Sequence, residues 1–119
     1  QIAKLANQII VGITIGSVAE ANKWAQKYQV NPINILTALK GGWADSKVLQ
    51  THGLRMIKND FKSRGKNLSQ LKDMNNILDC AKNKKLKLPV SKIVKKMYNN
   101  IVKKGLGNYD HSSLYKSYK

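Results

Sequence analysis

A lysine and two carboxamides lie within about one helical turn of each other near the start of the chain. Asn7 and Gln8 follow Lys4 by three and four residues, so on an α-helix of 3.6 residues per turn the three side chains share a face. An ammonium group can hold an oxygen atom and give it a proton, and neighbouring amides can hydrogen-bond the same ligand. A lysine near a chain start is also commonly a solvated charge. The context favours a functional position, because residues 9–21 are apolar nearly all round and such a helix is buried on more than one side.

A second lysine occupies an unfavourable place. Apolar residues recur at intervals of three and four after Asn67, which predicts a helix capped by Asn67 or Ser69, with Lys72 and Asp73 in its first turns. The helix macrodipole disfavours a positive charge there. Either Asp73 compensates Lys72 on a solvated surface, which spacing alone favours, or Lys72 is kept for function.

The composition limits the protein class. The 119 residues suffice for one domain with a modest core. With 22 Lys+Arg against 6 Asp+Glu, the net charge of +16 attracts polyanions, so nucleic acid has to be considered as a partner. The single cysteine, Cys80, excludes an internal disulfide and has no neighbour at zinc-ligand spacing, so no metal site is predicted. A reducing compartment, the cytoplasm, is the expected location.

The apolar first segment predicts neither a membrane span nor a secretory signal. It carries charges at Lys4, Glu20 and Lys23, and no cleavage site follows a short apolar core. The chain opens on Gln1, without an initiator methionine and inside a predicted helix. We therefore expect residue 1 to be a cut end.

The periodicity predicts an all-α unit of five to seven helices around a first helix of about 28 residues. Gly12 and Gly16 share a face of that helix, which favours close packing of a neighbouring helix over a ligand role. Asn31 and Pro32 begin a second helix as N-cap and first residue. Two short helical pieces, interrupted by a turn at His52, and a loop over 59–66 follow. Two further helices and a short C-terminal helix capped by Asp110 or Ser112 complete the prediction.

The chain resembles, nearly end to end, the C-terminal helical domain of the β-hydroxyacid dehydrogenases, a family that includes 3-hydroxyisobutyrate dehydrogenase and 2-hydroxy-3-oxopropionate reductase. Several separated motifs in the right order are more specific than any one of them. The resemblance rests on residues 1–8 (QIAKLANQ), 41–46 (GGWADS), Met56, Phe61, 72–74 (KDM), 88–89 (LP) and 105–112 (GLGNYDHS). The chain departs from the family at 63–65, where a Pro-Gly-Phe segment is usual, and at Trp43, which is bulky for its position.

The resemblance implies that Lys4 is the catalytic general acid and base, that Asn7 and Gln8 bind the substrate, and that Lys72 approaches the cofactor. It implies NAD or NADP as the cofactor, a small hydroxy acid or its semialdehyde as the substrate, and homo-oligomers assembled through the helical domain. The family's N-terminal Rossmann domain has no counterpart here, because neither a strand nor a glycine-rich fingerprint is present. Residues 1–119 are therefore expected to be inactive alone.

Two other classes of protein remain open at the level of sequence. A small basic helical module that binds nucleic acid or another polyanion would use the lysines between Lys82 and Lys104. Against this, lysines occur in every predicted helix and no known nucleic-acid-binding motif is present. A pure oligomerisation module would use the Gly12 and Gly16 face, and it overlaps with the dehydrogenase hypothesis.

Overall fold

The computed structural model describes residues 1–118, and Lys119 lies outside the described part. These residues form an all-α bundle, as predicted, and contain no strand. Its five α-helices are α1 Ile2–Lys27, α2 Pro32–Leu39, α3 Lys47–Ile57, α4 Asn67–Asn83 and α5 Pro89–Ile101. A π-helical turn, Val102–Leu106, and a 3-10 helix, His111–Ser117, follow α5.

Helix α1 is the element on which the others pack. Its buried positions Ile15, Val18 and Ala19 belong to one hydrophobic core with residues of α3, α4, α5 and the 3-10 helix. Met74 of α4 and Tyr98 of α5 are fully buried in the same core. Burial of this apolar surface stabilises the bundle, because each large side chain removed from water contributes about 1.5–3 kcal/mol.

The two interior glycines of α1 face different neighbours. A Cβ atom at position 12 would lie 2.6 Å from the Nε2 of Gln70 on α4. At position 16 the nearest atoms belong to Leu114 and Val94, at an ordinary 3.9 Å. A Cβ atom at position 12 would therefore displace the Gln70 amide, whereas position 16 has room for one.

Several predicted helix boundaries are confirmed. Asn31 caps α2 by accepting the backbone N–H of Ile33 at 3.0 Å, with Pro32 as the first helical residue. Pro89 is likewise the first residue of α5, although its N-cap residue Leu88 makes no side-chain hydrogen bond. Asp110 caps the 3-10 helix by accepting the backbone N–H of Ser112.

The predicted interruption at His52 is wrong. Helix α3 runs through His52 and Gly53 without a break, from an N-cap at Ser46. Gly53 is buried against α1 and α2, since a Cβ there would lie 2.9 Å from Leu36 and 3.4 Å from Val18. The glycine therefore permits close helix packing and does not mark a turn.

The start of α4 is also capped differently from the prediction. Neither Asn67 nor Ser69 caps it: Lys66 is the N-cap residue and supplies no side-chain hydrogen bond. Instead, the first backbone N–H groups of the helix, at Asn67 and Leu68, donate to the carbonyl oxygens of Tyr109 and Gly107, each at 2.9 Å. The C-terminal segment thereby satisfies the N-terminal donors of α4 and fixes the turns that carry Lys72 and Asp73.

Candidate active site

The first two turns of α1 present a lysine and an amide to solvent. Lys4 and Asn7 are both exposed. Within residues 1–118, no carboxylate lies at ion-pair distance from Lys4. The ammonium group is therefore available to a ligand, and the positive end of the α1 dipole lies beside it.

Gln8 lies one turn beyond Lys4 and joins α1 to α4. Its Nε2 donates to Oδ2 of Asp73 at 3.0 Å and to Oε1 of Gln70 at 3.2 Å. Its Oε1 accepts from Nδ2 of Asn7 at 3.1 Å. Gln70 in turn donates from its Nε2 to the backbone oxygen of Gln8 at 3.2 Å. The Lys4 turn of α1 is thus fastened to the Lys72–Asp73 turn of α4.

Lys72 is exposed and points away from this junction. It precedes Asp73 by one residue, so the two side chains leave α4 about 100° apart. A shallow open depression along α4 includes Lys72, with Leu68, Ser69, Leu71, Asn75 and Asn76. The structure therefore brings Lys4, Asn7 and Gln8 together, and it places Lys72 on the adjoining face of α4.

A buried carboxylate behind α4 was predicted only as a cap. Asp110 is 1% exposed. It accepts the backbone N–H of Arg64 at 3.1 Å and both the N–H and the Oγ–H of Ser112, at 3.1 and 2.5 Å. Arg55 lies 3.4 Å away. Burial alone would raise the pKa of Asp110, but these hydrogen bonds and the Arg55 charge outweigh it and hold the pKa below its ordinary value.

Two histidines stack beside this carboxylate. The rings of His52 and His111 are nearly parallel with centroids 6.5 Å apart, and neither His52 Nδ1 nor His111 Nε2 has a hydrogen-bond partner within residues 1–118. Burial lowers the pKa of both imidazoles below the ordinary value. The described residues contain no group of three potential metal ligands, and the absence of a metal remains a prediction.

Helix α1 satisfies the length and composition of a membrane span, contrary to the expectation from its charges. An 18-residue window within it has a mean hydropathy of 1.5. The central helix of a packed bundle has the same composition, and α1 buries Ile15, Val18 and Ala19 against the other helices. The apolar character of α1 is therefore weak evidence for a membrane.

The fold matches that of one part of two solved 3-hydroxyisobutyrate dehydrogenases. A solved 3-hydroxyisobutyrate dehydrogenase from Salmonella typhimurium superimposes with a TM-score of 0.90 at 21% identity, over 96% of this chain and 40% of that one. The Mycobacterium tuberculosis 3-hydroxyisobutyrate dehydrogenase, solved with L-serine, also gives a TM-score of 0.90, at 18% identity over 98% of this chain and 42% of that one. At these identities the likeness establishes the fold.

Sequence comparison establishes the family. Residues 1–118 match the family described as NAD-binding of NADP-dependent 3-hydroxyisobutyrate dehydrogenase. The Escherichia coli 2-hydroxy-3-oxopropionate reductase is 40% identical over 114 residues, which are 96% of this chain and 39% of that protein. The chain belongs to the 3-hydroxyisobutyrate dehydrogenase family, and the predicted resemblance is confirmed. It spans about two fifths of the length of these relatives.

The family match does not favour the nucleic-acid alternative. Lysines occur on all the helices except α2, from Lys4 on α1 to Lys116 on the 3-10 helix. Two of them lie over aromatic rings within the bundle, Lys23 on Tyr115 at 4.2 Å and Lys116 on Phe61 at 5.1 Å. Such cation–π contacts stabilise the fold itself.

Proposed function

We propose that this chain is the C-terminal helical domain of an NAD(P)-dependent oxidoreductase that interconverts a small 3-hydroxy acid and its semialdehyde. The substrate class is that of the named relatives, 3-hydroxyisobutyrate or 2-hydroxy-3-oxopropionate. The observation that carries the proposal is the 3.0 Å hydrogen bond from Gln8 to Asp73. It connects the α1 turn that bears Lys4 to the α4 turn that bears Lys72 and Asp73. Lys4 and Lys72, both exposed, thus lie on two helices that are joined to each other, in a chain of an NAD-binding family.

Lys4 is proposed as the general acid and base. In the reducing direction, its ammonium group gives a proton to the carbonyl oxygen of the semialdehyde as hydride reaches the carbonyl carbon. In the oxidising direction, its neutral amine takes the hydroxyl proton back. A positioned donor of this kind typically contributes 10²–10⁴-fold to the rate, and the positive charge stabilises the developing alkoxide.

Asn7 and Lys72 are proposed as binding residues. Asn7 is exposed beside Lys4 and offers an amide N–H to a substrate oxygen. Lys72 offers an exposed ammonium group to the phosphate or ribose oxygens of the nucleotide from the depression on α4. NAD or NADP supplies the hydride chemistry when bound. A nucleotide-binding Rossmann domain N-terminal to this chain is part of the proposal, as is assembly of subunits through the helical domain.

The proposal is tested by comparing the natural gene product with the isolated 119-residue chain. We expect the natural product to be larger by a nucleotide-binding domain and to reduce NAD or NADP with 3-hydroxyisobutyrate or glycerate. The isolated chain should show no turnover under the same conditions. A natural gene product that has only 119 residues and no nicotinamide-dependent activity contradicts the proposal.

A further inference from the structure

We propose that Gln70, lying over Gly12, is a positioning residue that fixes the carboxamide of Gln8 with its oxygen toward Asn7. Through Gln8 it also holds the carboxamide of Asn7, which is proposed to hydrogen-bond the substrate. The orientation follows from contacts within this chain, whereas its effect on turnover rests on the proposed function.

The orientation of both carboxamides is set by partners that can only accept hydrogen bonds. Asp73, as a carboxylate, accepts from Gln8, so the Gln8 atom 3.0 Å from it must be the NH₂ group. The backbone carbonyl of Gln8 likewise accepts, so the Gln70 atom 3.2 Å from it must also be an NH₂ group. Gln70 then turns its oxygen to the Gln8 NH₂ group, at 3.2 Å.

These contacts use both hydrogens of the Gln8 NH₂ group. One goes to Asp73 and the other to Gln70, which holds the Gln8 carboxamide in one orientation. The Gln8 oxygen is left facing Asn7 and accepts one of its two amide hydrogens at 3.1 Å. The second amide hydrogen of Asn7 has no hydrogen-bond partner within residues 1–118. Hydrogen bonds that run in one direction toward a carboxylate polarise one another, which strengthens the bond from Asn7 to the Gln8 oxygen.

Glycine at position 12 makes room for this arrangement. Gln70 is fully buried, and its Nε2 would lie 2.6 Å from a Cβ at position 12. Alanine there would push the Gln70 amide off the Gln8 carbonyl. Gly16, one turn further along α1, is a matched control, because its nearest neighbours lie at 3.9 Å and no part of the hydrogen-bonded group is among them.

The kinetic experiment compares Gly12→Ala, Gly16→Ala and Gln70→Met in the natural protein. We expect Gly12→Ala and Gln70→Met to lower kcat/KM for the hydroxy acid about tenfold or more, since small misplacements of a substrate-binding group are costly. KM for the nucleotide should not change, and Gly16→Ala should match the parent. In the double variant, kcat/KM should be no lower than in Gln70→Met alone. A loss of folded protein alone would lower kcat without changing either KM, and that pattern overturns the proposal.

A second readout does not require activity. In NMR spectra of the parent, the two side-chain NH₂ hydrogens of Gln8 should exchange slowly with solvent, since both are hydrogen-bonded. In Gln70→Met and Gly12→Ala the resonances of these hydrogens should shift and their exchange should be faster. In Gly16→Ala neither should change. Unchanged Gln8 resonances in the first two variants overturn the positioning role. If the parent lacks nicotinamide-dependent turnover, the proposed function fails, and the resonances alone decide the role of Gln70.

Discussion

Asn67, at the start of α4, donates from its side-chain amide to the hydroxyl of Ser113 at 2.6 Å. Both residues are fully buried. The same amide group donates to the carbonyl oxygen of Leu106 at 2.9 Å. One side chain therefore ties the first turn of α4 to two points of the C-terminal segment, which also caps that helix through its backbone.

We predict that Asn67→Ala lowers the free energy of unfolding by about 2 kcal/mol. The substitution leaves the buried Ser113 hydroxyl without this donor and removes one of two donors to the part-buried Leu106 carbonyl. An unsatisfied buried polar group costs about 1–3 kcal/mol. Urea unfolding followed by circular dichroism measures the change. The control is Asn76→Ala on the exposed side of the same helix, which should stay within about 0.5 kcal/mol of the parent. Equal effects at the two positions contradict the role of Asn67.

We predict that Asp110→Asn destabilises the fold by about 3 kcal/mol, because it removes a buried charge that is paired with Arg55 and turns an NH₂ group toward backbone donors. Asp60→Asn is the matched control, since the Asp60 side chain is 42% exposed and its ion pair within residues 1–118 is with Arg64 on the surface. Thermal unfolding of both variants compares them. A lower melting temperature for Asp60→Asn than for Asp110→Asn rejects the assignment.

We predict that stability falls as the pH drops below about 6.5, the ordinary pKa of histidine. Burial lowers the pKa of His52 and His111 in the folded protein, and the Arg55 charge adds to it, while the Asp110 charge opposes the shift without cancelling it. The unfolded chain therefore binds more protons in this range, so the contribution is complete above about pH 6.5 and is lost as the pH falls through the folded-state pKa values. Melting temperatures between about pH 7.5 and about pH 5 test this, and a smaller slope is expected in His52→Gln. An unchanged melting temperature across the range contradicts it.

Sequence was sufficient for the fold class because the apolar spacing and the helix starts are local signals. Asn31 and Pro32 begin α2 as predicted, and Asp110 caps the 3-10 helix. The start of α4 was not predictable in this way, since its donors are satisfied by carbonyl groups about 40 residues away, at Tyr109 and Gly107. The turn predicted at His52 was wrong for a similar reason. Gly53 lies within α3 because Leu36 of another helix packs against it, and this contact is not visible in the local sequence.

The candidate site was predictable only in part. Spacing alone placed Lys4, Asn7 and Gln8 on one face, and the structure keeps them together. Spacing could not show that Gln8 turns toward α4, because Gln70 and Asp73 lie more than 60 residues further along the chain. The pairing of a glycine at 12 with a buried glutamine at 70 became visible only once the two helices were packed.

Proton transfer by Lys4 is tested most directly by replacing this residue in the natural protein. Lys4→Ala and Lys4→Arg should each lower kcat for nicotinamide-dependent oxidation of the hydroxy acid by about 10²-fold or more, because arginine keeps the charge but does not release its proton. Lys27→Ala, an exposed lysine in the last turn of the same helix, should retain the parental rate. Near-parental turnover in Lys4→Ala, with the protein folded, would remove Lys4 from the reaction.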